Sequence, residues 1–327
     1  MRYSVKLILR SAVSPLQGES RRPELVSPQE LGITFIGHSS FLLQLAGMHV
    51  LCDPVFARWL VLLRRQRRPG VKIKHLPATD LVLLSHAHMD HLNRPSLRKI
   101  VRRSIRLTGR APVAVVPWDV SEVIADLGFQ RVIELRWWES ATVGPLRITL
   151  TPAKHWGTRW FHDGHRGYGG YVVEGGAERI YYSGDTAYFP GFREIGARLH
   201  PDIALLPIGA YTPESYRSVH TSPEDALQAL ADVGARWMVP MHYGTFWLGE
   251  EPMEEPVPRL LAAADTMGLR SKVRVVGEGE TVVFPNANQG RPKETRVQEV
   301  RGQEAKGQEA RGQEEPVRTR TSPLAAT

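Results

Sequence analysis

The feature that most constrains this chain is the segment Ser85-His86-Ala87-His88-Met89-Asp90-His91, which places three histidines and one aspartate within six positions. Histidine is scarce elsewhere, since the 327 residues contain only 12. The segment directly follows a continuous apolar run at 81–84, which is typical of a buried strand. Imidazole and carboxylate groups are the ligands that hold zinc and similar metals. A strand that ends in this turn therefore predicts a metal site.

The composition is that of an ordinary globular protein, with 42% apolar and 23% charged residues. The single cysteine, Cys52, excludes an intrachain disulfide and fits a reducing compartment. The first ten residues are too charged for a secretory signal, and no run approaches the ~20 apolar residues of a spanning helix. These features predict a cytoplasmic protein, in peripheral contact with the inner membrane surface at most. The formal charge of +8 weakly favours anionic partners.

Short apolar runs alternate with turns over most of the chain. Residues 33–36 and 41–45 predict paired strands, and further strands are predicted at 48–52, 114–116, 146–150, 180–182, 203–206 and 237–241. A helix is predicted after Ser222, because a serine cap is followed by Pro223, two acids and apolar residues at helical spacing. Strands that alternate with helices favour the layered α/β or α+β classes.

Composition divides the chain into three predicted parts. Residues 1–29 contain Pro15 and Pro23 and predict an extended arm or a poorly ordered leader, and 30–285 predict the folded domain. Residues 286–327 contain the repeats VQEVR, GQEAK, GQEAR and GQEEP, which have few apolar side chains. Such a segment cannot bury enough surface to offset its ordering entropy, so a disordered tail without a catalytic role is predicted.

Three more metal-binding side chains follow predicted strands. His155 comes after 146–150, Asp185 lies in the turn Ser183-Gly184-Asp185-Thr186, and His242 comes after 237–241. Each is a weak signal alone, because a histidine after a strand is more often a hydrogen-bonded structural residue. Together with the first segment they form an ordered set of ligands.

This ordered set resembles the metallo-β-lactamase fold superfamily over residues 30–285. Additional segments resemble its N-acylphosphatidylethanolamine phospholipase D branch, and the lactonases acting on ascorbate phosphate are more distant. These segments are FIGHSS at 35–40, CDP at 52–54, SGDT at 183–186, PIGAY at 207–211, HTSPEDA at 220–226 and MHYGTF at 241–246.

The resemblance implies an α+β fold, a four-layer αββα sandwich of two mixed β-sheets with outer helices. It also implies two divalent ions, with zinc as the default and manganese, iron or nickel as alternatives. His86, His88 and His155 would hold one ion, Asp90, His91 and His242 the other, and Asp185 would bridge both. A metal-bridging hydroxide would attack phosphorus. Asp90 is the candidate for orienting it, and His220 is the candidate substrate contact or proton donor, or else a residue that only bonds backbone.

Four other side chains are weaker candidates for the substrate pocket or for supporting the ligands. Asp53 could accept a hydrogen bond from a liganding histidine, or only form a turn with Pro54. His38 could face the site or be a buried structural histidine. Tyr211 and Trp156 could line the pocket, although large aromatics after strands are more often core residues.

The segment 56–68 has two interpretations. Its apolar part, 59–63, leads into Arg64, Arg65, Arg67 and Arg68, and this order suits a membrane interface where arginines meet phosphate headgroups. The alternative is a core helix followed by a solvated basic loop.

Three functional hypotheses follow. The first is a phospholipase D-type phosphodiesterase that acts on N-acylphosphatidylethanolamine-like phospholipids. The second is a lactonase or a phosphorylated-metabolite hydrolase on the same dinuclear site. The third is a nucleic-acid-processing or nucleic-acid-binding protein, which is disfavoured because no RNA-binding module and no aromatic-basic interleaving is present. The partners are thus a small-molecule or phospholipid substrate and, from the resemblance, a second copy in a homodimer.

Overall fold

The computed structural model describes residues 5–160 and 163–285 of the chain. Within these residues, no helix combines the length and apolar character needed to cross a bilayer. The predicted tail, 286–327, lies outside the described residues.

The described residues contain fifteen strands and five α-helices. The strands are β1 (Leu31–Gly37), β2 (Ser40–Leu45), β3 (Met48–Cys52), β4 (Trp59–Leu60), β5 (Leu63–Arg64), β6 (Leu81–Leu83), β7 (Val113–Pro117), β8 (Arg131–Leu135), β9 (Ser140–Val143), β10 (Leu146–Thr151), β11 (Gly170–Gly175), β12 (Glu178–Tyr182), β13 (Ile203–Pro207), β14 (Trp237–Met241) and β15 (Thr281–Phe284). The helices are α1 (Val5–Val13), α2 (Arg94–Thr108), α3 (Gly191–Leu199), α4 (Pro223–Val233) and α5 (Pro256–Thr266).

The strands form two mixed sheets and one small hairpin. The first sheet has the order β15-β1-β2-β3-β6-β7-β8, and the second has the order β14-β13-β12-β11-β10-β9. Pairing is antiparallel from β15 to β3 and parallel from β3 to β8. In the second sheet, β12, β13 and β14 are parallel to one another, and the other neighbours are antiparallel. Each predicted strand overlaps one of these strands.

The sheets pack face to face around one apolar core. Phe35, Leu83 and Val115 of the first sheet belong to the same buried cluster as Tyr171 and Leu205 of the second. On the outer face of the first sheet, Leu97 and Ile100 of α2 pack against the sheet, and α3, α4 and α5 cover the second sheet. These four layers confirm the predicted αββα sandwich.

The predicted helix after Ser222 forms as α4. The Ser222 side chain accepts a hydrogen bond from the backbone N–H of Asp225, whose carboxylate in turn accepts from the Ser222 N–H. This reciprocal cap satisfies two backbone donors that would otherwise have no partner. The cap fixes the direction of the chain directly after His220, which lies beside the candidate site.

The N-terminal segment is not simply the extended arm or leader that the sequence predicts for 1–29. From Val5 the described chain forms α1, in which Leu7 and Ser11 share one buried face at helical spacing. Leu7 packs in a small cluster with Leu60 and Phe246. The sequence does not predict this helix, because its apolar face is short and is completed only by partners that are distant in the chain.

Residues 59–64 form the hairpin β4–β5 rather than a core helix. Its strands are two residues each, and the tip residues Val61 and Leu62 are 62% and 53% exposed. Arg65, expected on the surface, is buried and donates to the carbonyl oxygens of Val55 and Arg67. It therefore secures the base of the hairpin and is not free to meet a phosphate headgroup.

Candidate metal centre

The candidate ligands lie at one edge of the sandwich because the strands that precede them end there. β3 and β6 run parallel in the first sheet, so the segments that contain Asp53 and His86–His91 leave the same edge. In the second sheet β10, β12 and β14 run in one direction, which brings His155, Asp185 and His242 to that edge. Residues more than 150 positions apart in the chain thus meet in space.

His86, His88 and His155 form the first group of side chains. The His86 Nε2 atom lies 2.8 Å from His88 Nδ1, and His155 Nε2 lies 3.3 Å from the same atom. The ligand atoms of all three residues lie within 4.8 Å of one another, which is close enough for one metal ion.

A second group contains Asp90, His91, His242 and His38, whose ligand atoms also lie within 4.8 Å of one another. The Asp185 carboxylate lies between the two groups. Its Oδ2 atom is 3.0 Å from His242 Nε2 and 3.2 Å from His91 Nε2, and 3.9 Å from His155 Nε2 of the first group. Asp185 therefore has the position that a bridging carboxylate requires.

The turn that delivers Asp185 depends on Gly184. This residue has a φ of +59°, and a Cβ added to it would lie 2.6 Å from the Cβ of Ser85. Any larger residue would push apart the two loops that carry Asp185 and His86, since the sheets approach closely here.

The side chains fit a bound metal because their buried polar atoms lack partners. His91 Nε2, His242 Nε2, Asp185 Oδ1 and His220 Nδ1 are buried, and none has a hydrogen-bond partner among the described residues. The short contacts of Asp185 Oδ2 with the two histidines do not have hydrogen-bond geometry. Buried polar atoms without partners are costly, and several that converge on one point are explained by a cation. Nitrogen and oxygen donors without cysteine suit zinc, manganese or iron.

The electrostatics of the two groups differ. Burial lowers the pKa of His86 and His155 and takes the pKa of His88 to about 4, so these imidazoles are neutral and can offer lone pairs to a metal. Burial also acts to lower the pKa of His242, but the charges of Asp185 and Asp90 outweigh it and raise that pKa to about 9. The second group therefore surrounds a point of negative potential that attracts positive charge.

Asp53 is buried and supports the ligands from behind. Its carboxylate accepts hydrogen bonds from His91 Nδ1 and from the Tyr182 hydroxyl, each at 2.6 Å, and from the backbone N–H and hydroxyl of Ser85. The bond to Nδ1 leaves His91 Nε2 directed at the cluster. Of the two interpretations of Asp53, the geometry favours the hydrogen-bond acceptor, and a simple turn with Pro54 does not account for these four bonds.

His38 and His220 both lie against the cluster. His38 Nε2 is 3.1 Å from Asp90 Oδ2, and the His38 backbone oxygen accepts from the His242 N–H. His220 Nδ1 is 3.9 Å from Asp185 Oδ2, and its ring stacks on His242. Burial lowers the pKa of His220 to about 4, so its ring is neutral at pH 7. A neutral imidazole can donate a hydrogen bond to a substrate but is not an acid.

Of the two aromatic candidates, only Trp156 lies at the site. Its ring packs on His155 and His88. Tyr211, which we predicted as a pocket residue, instead donates its hydroxyl to Glu255 and lies under the guanidinium of Arg259. Its ring is held towards α5, and the prediction that it lines the pocket is wrong for that reason.

A cavity of about 460 Å³ opens over the cluster. His88 and Asp90 form part of its polar floor, and its lining also includes Ile8, Val61, Leu62, Met89, Trp156, Thr158, Arg159 and Trp160. Ile8, Arg159 and Trp160 were not predicted from the sequence. Trp160 could have been found from the sequence, because a large aromatic four residues beyond Trp156 in a polar stretch is a candidate pocket residue. In the structure its side chain is 62% exposed.

Comparison with known proteins gives the family. A family model described as the β-lactamase superfamily domain matches residues 48–243, which is more than half of the chain. The chain belongs to the β-lactamase superfamily. Membership confirms the predicted metallo-β-lactamase fold and makes the protein a metal-dependent hydrolase.

Three proteins illustrate the range of this superfamily. An uncharacterized protein of Mycobacterium tuberculosis is 36% identical over 259 residues, 76% of this chain and 68% of its own length. The N-acyl-phosphatidylethanolamine-hydrolyzing phospholipase D 1 of Caenorhabditis elegans is 33% identical over 68% of this chain and 66% of its own length. A solved metallo hydrolase of Ignicoccus hospitalis has a TM-score of 0.59 and 26% identity, and the match covers 79% of this chain and 99% of that one. The phospholipase confirms the predicted likeness to the N-acylphosphatidylethanolamine phospholipase D branch.

Proposed function

We propose that the protein is a phosphodiesterase of phospholipase D type that hydrolyses N-acylphosphatidylethanolamine-like phospholipids. The cavity over the cluster carries this proposal. Its floor is polar at His88 and Asp90, whereas Ile8, Val61 and Leu62 make its wall apolar. Such a cavity suits a substrate with a phosphodiester at one end and acyl chains at the other. The C. elegans relative, whose name gives this activity, supports the same choice.

The seven proposed ligands are His86, His88, Asp90, His91, His155, Asp185 and His242. When bound there, two divalent ions would supply Lewis acidity and lower the pKa of water towards ~7. Asp53 fixes the tautomer and direction of His91. His38 holds the Asp90 carboxylate in place, so that Asp90 can orient the attacking water.

The reaction adds water to phosphorus and breaks the bond between phosphorus and the oxygen of the N-acylethanolamine. The hydroxyl of water stays on phosphorus, and its proton ends on the departing oxygen, so the products are phosphatidic acid and an N-acylethanolamine. We assign the neutral ring of His220, which lies beside Asp185, the role of donating a hydrogen bond to a phosphate oxygen. The apolar wall excludes water from the acyl part of the substrate.

A substrate panel on protein of measured metal content tests the proposal. The panel contains N-acylphosphatidylethanolamine, phosphatidylcholine, a generic phosphodiester, a lactone and single-stranded RNA. We expect N-acylphosphatidylethanolamine to have the highest kcat/KM. Cleavage of the lactone or the RNA alone would overturn the substrate assignment and leave the metal site standing.

The proposed bridge is tested with Asp185→Asn. The amide carries no charge to hold two cations together, so we expect kcat to fall at least 100-fold with unchanged circular dichroism. Asp232→Asn is the matched control, because Asp232 is a carboxylate that bonds Tyr188 and Arg193 away from the cluster. We expect its kcat to stay within about threefold of the original. Near-normal turnover of Asp185→Asn would contradict the bridging role.

A further inference from the structure

A second cavity, of about 430 Å³, lies on the α2 side of the molecule. It is an open cavity bordered by residues 56–57 after β3, by five residues of the stretch 68–73, by Ser20, and by the first turns of α2 together with their cap Asn93. It shares no lining residue with the cavity over the metal cluster. Its volume lies within the range of small-molecule sites, about 300–1,000 Å³.

The inner surface of this cavity is apolar. Val71 is fully buried at its base, and Phe56 and Ile73 are half-buried beside it and pack on the same core cluster. Ala57 and Pro69 extend the apolar surface towards the opening. A ligand that fills this space must present a mostly hydrocarbon surface, because the uncharged polar lining is limited to Ser20, Asn93 and Ser96, and both serine hydroxyls already donate to protein oxygens.

The rim of the cavity is cationic. Arg68, Lys72 and Lys99 are exposed at its edge, and no acidic side chain lines it. None of these three forms an ion pair within residues 5–160 and 163–285. Several unpaired cations around one opening create a positive potential that attracts an anion.

We propose that this cavity binds a single-chain amphiphilic anion. Its hydrocarbon chain lies on Phe56, Val71 and Ile73, and its acidic head group lies between Lys72 and Lys99, with Arg68 on the opposite rim. The apolar base selects against free inorganic anions, and the cationic rim selects against neutral amphiphiles. The proposal concerns a separate site and does not depend on the substrate of the metal centre.

The position of the cavity connects it to the metal centre. Phe56 lies three residues after Asp53, and Asn93 lies two residues after His91, the histidine that Asp53 holds. The Phe56 N–H donates to the Ser96 hydroxyl, which joins the two segments at the cavity wall. A bound amphiphile would therefore brace both segments that support the second group of ligands. We expect it to raise the thermal midpoint of the full-length, metal-loaded protein.

Calorimetric titration of that protein tests the proposal with four probes below their micelle concentrations. Oleate and 1-oleoyl-lysophosphatidate are single-chain anions, monoolein is the neutral chain, and inorganic phosphate is the anion without a chain. We expect the first two to bind, and the tighter of them identifies a carboxylate or a phosphate head group. Equal binding of monoolein would overturn the proposal, and so would equal binding of phosphate that is lost in Lys72→Gln/Lys99→Gln, whereas phosphate held at the metal centre is unaffected by that variant.

Variants then locate the binding. Lys72→Gln/Lys99→Gln removes two exposed charges, and we expect it to weaken oleate binding at least tenfold. Lys74→Gln/Arg102→Gln is the matched control, since both residues are exposed and neither lines the cavity. Its affinity should stay within twofold of the original. Oleate held only in the cavity over the metal cluster would show the same affinity in both variants, and that result would reject the second site.

A blocking variant adds an independent measurement. Ile73→Trp places a large ring against the apolar base, and we expect it to abolish binding of the chain without changing kcat/KM on a soluble phosphodiester. The charge variant alters only exposed side chains, so it decides the question even where the tryptophan variant does not fold. Unchanged oleate affinity in a folded Ile73→Trp protein would also reject the site.

Discussion

At the scale of single residues, the sequence predicts the composition of the site better than its surroundings. The seven candidate ligands were identifiable because imidazole and carboxylate groups followed apolar runs in a recognisable order, and all seven meet at one edge of the sandwich. Tyr211 could not be placed from sequence, because its direction is decided by Glu255 and Arg259, more than 40 positions away. Such long-range pairs leave no local signal.

The buried carboxylate of Asp53 gives the first prediction at this scale. In Asp53→Asn the amide cannot accept from His91 and Tyr182 while also facing the Ser85 donors. We expect metal affinity to fall roughly 10–100-fold, as is usual when the residue behind a ligand is changed. Competition with a chromogenic chelator measures the change. Asp80→Asn, an exposed carboxylate paired with His49, is the control and should leave the affinity unchanged.

Asp163 gives a prediction about acid stability. Burial acts to raise the pKa of its carboxyl, but bonds from Arg166 and from the backbone of Trp160 and Arg159 outweigh it and lower the pKa. A folded-state pKa below the unfolded value, ~3.9, gives stability that is present above pH ~4 and is lost as the pH falls through the folded-state pKa.

We therefore expect Asp163→Asn to lower the free energy of unfolding by about 2 kcal/mol at pH 7. The difference from the original protein should shrink as the pH falls below ~4. Urea unfolding at pH 7 and pH 3.5 measures both values. Asp265→Asn, at the exposed end of α5, should change neither. A difference that grows in acid would contradict the sign of the shift.

At the scale of elements, strands were predicted more reliably than the parts that cover the site. A continuous apolar run in the sequence predicts a buried strand, as in β6 and β13. The run at 59–63 is equally apolar, yet it divides into two short strands with an exposed tip. Five apolar residues cannot separate helix from hairpin, and here α1 and the buried Arg65 decide the outcome through tertiary contacts.

The tip of the β4–β5 hairpin gives the prediction at this scale. Val61, Leu62 and Trp160 are exposed apolar side chains beside the opening of the cavity over the cluster. We propose that these three side chains form a membrane contact. We expect Val61→Ser/Leu62→Ser to weaken sedimentation with phospholipid vesicles at least tenfold, since each buried apolar side chain contributes roughly 1.5–3 kcal/mol.

The control for this experiment is Ile105→Ser/Leu107→Ser, which changes two similarly exposed apolar residues of α2 that do not line that cavity. We expect its vesicle binding to match that of the original protein. If both double variants sedimented equally with vesicles, the hairpin would not be a membrane contact, and the activity of the metal centre would remain a separate question.

At the scale of the whole molecule, the sandwich was predicted through a family resemblance and not from periodicity. Apolar runs indicate that strands exist, but the division into sheets of seven and six strands depends on pairings between distant segments. β15 pairs with β1 across some 250 residues of sequence. The resemblance does not predict the second cavity, on the α2 side of the molecule, because its cations come from two unrelated stretches of the chain.

The ligands come from both sheets, and this gives a prediction for the whole molecule. His86 and His91 follow the first sheet, and Asp185 and His242 follow the second, so a bound metal would link them. Compared with protein that holds free metal at a thousand times its Kd, we expect the chelated protein to have a free energy of unfolding lower by about 4 kcal/mol. The loss should shrink as the pH falls below about 9, because the pKa of His242 is raised to about 9 and its proton competes with the metal.

Scanning calorimetry of chelated and metal-reloaded protein at pH 7.5 and pH 5.5 measures this loss. Hydrogen exchange should accelerate at the ends of β6, β12 and β14 in the chelated sample. Equal unfolding midpoints with and without metal at pH 7.5 would show that the ion does not hold the sheets together.

The docking of α1 has a practical consequence for handling the protein. This helix begins at Val5 and contributes Ile8 to the wall of the cavity over the cluster. A tag or a foreign segment placed directly ahead of Val5 would therefore lie close to the substrate's entrance, and could obstruct it or shift the helix. Kinetic constants should be measured on protein tagged at the other end, or after an amino-terminal tag has been cleaved without a scar.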